Sequence, residues 1–78
     1  MKVLILDMTH GGAVLAKRFI ERGDDVTIVD VYRIGTQELK DSVRAMGARV
    51  EDTVPQEEYD LHVIGAGNMG GELGGEEV

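Results

Sequence analysis

The residues best placed to do chemistry lie in two turns, each directly after an apolar run. The first turn is Asp7-Met8-Thr9-His10-Gly11-Gly12, which follows Val3-Leu4-Ile5-Leu6. If a helix begins there, the backbone N–H groups of Gly11, Gly12 and Ala13 open it and can hold an anion. His10, beside them, can donate a hydrogen bond or carry a proton, and Thr9 belongs to the same turn. Measured against the dinucleotide fingerprint G-x-G-x-x-G, the three glycine positions fall on Asp7, Thr9 and Gly12. Only the third is kept, the one that lets helix and strand pack closely, and a carboxylate at Asp7 repels a phosphate. Asp30 stands 23 residues after Asp7, where such a domain places its ribose-binding acid. The same spacing also suits an acid that caps the loop after a strand. Arg33 follows in that loop and can meet a phosphate or carboxylate.

The second turn is Gly65-Ala66-Gly67-Asn68-Met69-Gly70. Gly65, Gly67 and Gly70 satisfy G-x-G-x-x-G in full, but only eight residues follow, among them Gly71, Gly74 and Gly75. A dinucleotide site needs a helix and a further strand there. The bland reading is a flexible, acidic, glycine-rich tail over residues 65–78. No catalytic residue is assigned. The chain lacks a P-loop, a serine on a nucleophile elbow and a cysteine. His10 and His62, the only two histidines, have no carboxylate spacing that would make a metal site.

The elements that must position these turns read as β-α-β-α-β-loop-β. Val3–Leu6 is continuously apolar, as in a strand buried on both faces. Leu15, Ala16, Phe19 and Ile20 recur at helical spacing, and Val26–Val29 is a β-branched second strand. Thr36 is a helix N-cap ahead of Leu39, Val43 and Met46, and Gly47 ends that helix. Ala48–Val50 is a short third strand. An acidic connection containing Pro55 leads to a fourth, Leu61–Ile64, in which His62 is a core or edge residue. Alternation of strands with short helices implies parallel pairing through right-handed crossovers. The expected fold is an α/β Rossmann-like half-fold over residues 1–64: a parallel four-stranded sheet, order 3-2-1-4, with helices on its faces. Ligands of such sheets bind beyond the carboxyl ends of the strands where the order reverses, here between strands 1 and 4.

Charge narrows the partners. The 78 residues carry a formal charge of −7, unevenly spread. Residues 1–50 hold 8 basic and 7 acidic side chains; residues 51–78 hold 8 acidic and none basic. No basic and aromatic face suits nucleic acid, and no apolar run approaches the roughly 20 residues of a membrane span. The early apolar run is too short for a secretory signal. A cytoplasmic protein is expected, its partner a small molecule. A strand 4 left at the sheet edge also makes a homodimer an expectation.

The first half resembles a family. The run V-L-I-L-D-M-T-H-G-G (Val3 to Gly12), the helix with Leu15-Ala16, and Val26-Thr27-Ile28-Val29-Asp30-Val31-Tyr32 look like the N-terminal domain of archaeal Mur ligase family proteins. The likeness is greatest to the methanogen members that form amides on the nickel tetrapyrrole of methanogenesis. It covers about residues 1–64, and T-H-G-G is its most specific part. It implies a Rossmann-like domain that holds the substrate of an ATP-dependent ligase, not catalytic in isolation. Thr9, His10, Gly11 and Gly12 would form the substrate-side turn, and Asp30 and Tyr32 would be second-loop contacts. The substrate would be nucleotide-diphosphate-like or a tetrapyrrole carboxylate. ATP and Mg would belong to central and C-terminal domains not contained in this sequence, which would make the chain a fragment or a single domain. The alternative is a small NAD(P)-binding or sensor module using Gly65–Gly70.

Overall fold

A computed structural model of the chain describes residues 1–65; Gly67, Gly70 and the rest of the glycine-rich segment lie outside the described residues. The elements are β1 (Lys2–Leu6), α1 (His10–Glu21), β2 (Asp25–Val29), α2 (Gln37–Met46), β3 (Arg49–Glu51) and β4 (Leu61–Ile64). They form one four-stranded sheet, order β3-β2-β1-β4, with every pairing parallel. This is the half-Rossmann arrangement that the βα alternation implies.

Register explains why β1 is apolar from Val3 onward. Val3 pairs with Val26 and Ile5 with Ile28, while Leu4 pairs with Thr27 and His62. Val3, Ile5, Val26 and Ile28 share one face and form a single buried cluster with Ala13 and Ala16 of α1, Val43 of α2, and Ala48. Both helices therefore cover the same face. Two successive right-handed crossovers that step in one direction across a sheet leave their helices on one side.

The opposite face carries Leu4 and Thr27, both buried. No helix covers it among the described residues. The acidic connection, residues 52–60, straps across it instead. Glu57 ties the strap to two strands at once, accepting from Lys2 Nζ at 2.8 Å and from Arg49. These two cations, Lys2 foremost, hold its carboxyl below the usual range. Asp60 accepts from the Lys2 N–H at 2.6 Å, and the Tyr59 hydroxyl accepts from Arg49 at 3.2 Å. Three body cations, Lys2, Arg49 and Lys40 (3.5 Å from Asp52), pair with the acids of this connection.

The helix ends follow local chemistry. Thr36 accepts from the Leu39 N–H at 3.1 Å, and Gly47 closes α2 at φ 111°, a left-handed conformation costly for any side chain. Loss of the Thr36 cap costs about 1 kcal/mol. Thr36→Ala is therefore expected to lower the melting temperature by about 4–8 °C, measurable by circular dichroism, whereas Thr36→Ser keeps it.

Candidate functional site

Three loops meet beyond the carboxyl ends of the strands. After β1, Asp7 and Met8 are buried and Thr9 caps α1, its Oγ1 accepting from the Gly12 N–H at 3.4 Å. The helix begins at His10, so His10, Gly11 and Gly12 form its first turn. Ala13 N–H already donates to the Thr9 carbonyl at 2.9 Å. Of the donors read as an anion cradle, the N–H groups of Gly12 and Ala13 are thus engaged locally. Those of His10 and Gly11 have no partner within the helix. The His10 side chain is exposed.

Gly12 sets how close the helix comes to the strand. A Cβ there would stand 1.8 Å from the Asp7 carbonyl oxygen. That close approach is the packing role which the third glycine of the fingerprint plays.

After β2, Asp30 is 1% exposed. Its Oδ1 accepts from the Ile34 N–H at 2.9 Å and its Oδ2 from the Gly35 N–H at 3.0 Å. Lys40 Nζ stands 3.4 Å from Oδ2. Burial pushes the Asp30 carboxyl up, but the two N–H donors and Lys40 outweigh it, and the group is held below its ordinary value. The acid therefore turns into its own loop and shapes residues 31–35. Gly35 packs against Met8, so closely that a Cβ would sit 2.3 Å from Met8 Cγ. Arg33 takes φ 58°, and Tyr32 projects into solvent with 67% of its surface exposed. Asp30 thus fixes the backbone of the loop that carries these two exposed side chains.

After β4, Ile64 is 71% exposed and Gly65 takes φ 65°. β4 runs beside β1 with Leu6 opposite Ile64, so this end borders the Thr9–Gly12 turn. His62 is an exposed residue of the edge strand, its ring edge-on to Tyr59 at 6.1 Å.

Sequence reasoning missed the role of Gly35 and the groove that separates α1 from α2. That groove has a volume of about 440 Å³, with His10 and Thr36 among its lining residues. The Ile34-Gly35 pair after an Asp–x–x–x spacing was the available signal for the first. Among the described residues no group of three or more His, Cys, Asp or Glu could hold a metal, and no helix is long and apolar enough to cross a membrane. No protein-family model, curated protein or solved structure matches the chain.

Proposed function

We propose that this chain is the substrate-recognition domain of an ATP-dependent, Mur-ligase-like amide-forming ligase. The observation that supports the reading is the turn Thr9-His10-Gly11-Gly12, seated at the α1 N-terminus beside the point where strand order reverses. His10 and Gly11 offer N–H donors there, and the exposed His10 ring, Tyr32 and Arg33 flank them. Together they suit an anionic, ring-bearing substrate: carboxylate or diphosphate on the donors, flat ring against Tyr32. Asp30 holds the second loop in place and does not need to touch the ligand. Catalysis, ATP and Mg belong to other domains in this reading.

The runner-up is a nucleotide module built on the turn that starts at Gly65, supported by its left-handed φ at the end of β4. Thermal-shift titration separates the two. Uroporphyrin, as a polycarboxylate tetrapyrrole, or UDP is expected to raise the melting temperature saturably, and NADH and NADPH to leave it unchanged. Saturable stabilisation by NAD(P)H alone would overturn the ligase reading.

A further inference from the structure

The groove between α1 and α2 runs along the helical face from their N-terminal ends, where His10 and Thr36 line it. Its floor is apolar, from Ala13, Val14, Leu39 and Met46, and its two charged walls are Lys17 and Glu38. Val14 is 54% exposed, and Lys17, Glu38 and Ser42 are exposed.

The charges sit at opposite ends. Both helices follow parallel strands, so both run in the same direction. Glu38 lies in the first turn of α2. Lys17 lies seven residues into α1, about 10 Å along the axis from His10. The groove thus has an acidic end, an apolar middle and a basic end. A two-fold axis lying across the helices turns that pattern onto itself. It brings Lys17 of each copy to the end where the other copy's Glu38 sits, and Val14 and Ser42 of both copies to the middle. The same rotation sets the helix pairs antiparallel, which their dipoles favour.

We propose that this face is a self-association surface: two copies of the chain pack groove to groove, antiparallel, joined by reciprocal Lys17–Glu38 pairs. The groove shares His10 with the substrate-side turn, but the inference rests on Lys17 and Glu38, which the proposed function does not use.

Charge reversal tests it. Sedimentation equilibrium of the full chain at low salt is expected to show a monomer–dimer equilibrium. Lys17→Glu and Glu38→Lys should each weaken it by ~10-fold or more, and the double variant should return to within ~3-fold of the parent. Both positions are exposed, so far-UV circular dichroism should match in all four proteins. A chain that stays monomeric at about 1 mM would overturn the proposal. So would a dimer indifferent to both single reversals, the result expected of pairing through the β4 edge. Failure of the double variant to recover would overturn it as well.

Discussion

Replacing Gly12 with alanine is expected to lower the melting temperature by more than ~10 °C, and Gly12→Val to abolish cooperative unfolding. The new Cβ would lie 1.8 Å from the Asp7 carbonyl oxygen. That neighbour is backbone at the end of β1, so it cannot rotate away as a side chain could. Relief requires α1 to move off the sheet, and α1 carries Ala13 and Ala16 of the core. Overpacking of this kind costs about 3 kcal/mol. A chain of this length has about 4–12 kcal/mol in total, and each kcal/mol is worth about 4–8 °C. Differential scanning calorimetry measures the loss directly. An unchanged transition for Gly12→Ala would show that helix and strand are not in close contact.

Asp30→Ala is expected to cost about 2–3 kcal/mol, and Asp30→Asn less. Alanine leaves the Ile34 and Gly35 N–H groups without their acceptors and takes from Lys40 its partner inside the fold. Asparagine restores one acceptor and no charge. The pH dependence carries the sharper signature. The Asp30 carboxyl is held below its ordinary 3.8 in the folded state. Its contribution is therefore fully present above that value and is lost as pH falls through the lower folded-state value. Urea titrations at pH 7, 4 and 3 should show wild type losing more stability on acidification than Asp30→Asn. Parallel acid limbs in the two proteins would contradict the assignment. Because the same carboxylate shapes residues 31–35, Asp30→Ala should also weaken any ligand held by Tyr32 and Arg33, even though Asp30 is not exposed to it.

The order and direction of the strands were legible because the signals were local and agreed with one another. Val3–Leu6 is an unbroken apolar run, Val26–Val29 is β-branched throughout, and Thr36 and Gly47 punctuate α2 at both ends. Short βα connections then leave few topologies. Smaller features depended on the third dimension. The fingerprint spacing put a glycine at position 12, but only the helix position shows what its missing side chain would meet. The spacing from Asp7 to Asp30 could not distinguish a ribose acid from a loop anchor. Burial and the N–H groups of Ile34 and Gly35 make it an anchor. Placement of both helices on one face follows from the crossover hand, and with it comes the acidic strap on the other. In sequence those acids read only as an acidic connection. Their partners lie on two strands, Arg49 on β3 close by in the chain and Lys2 on β1 far from it.

The same loops define what a ligand would meet. A pinned second loop and a capped helix start leave little backbone to rearrange at the proposed site, where His10, the Gly11 N–H, Tyr32 and Arg33 would meet the ligand. The most direct test of the proposed site is a ¹⁵N–¹H chemical-shift titration of the full chain with uroporphyrin, repeated with UDP and with NADH. The expected result is that uroporphyrin or UDP shifts the amides of Thr9, His10, Gly11 and Gly12, and of residues 31–33, with one saturation curve. The contradicting result is that those amides stay fixed while NADH moves Gly65 and the amides beyond it.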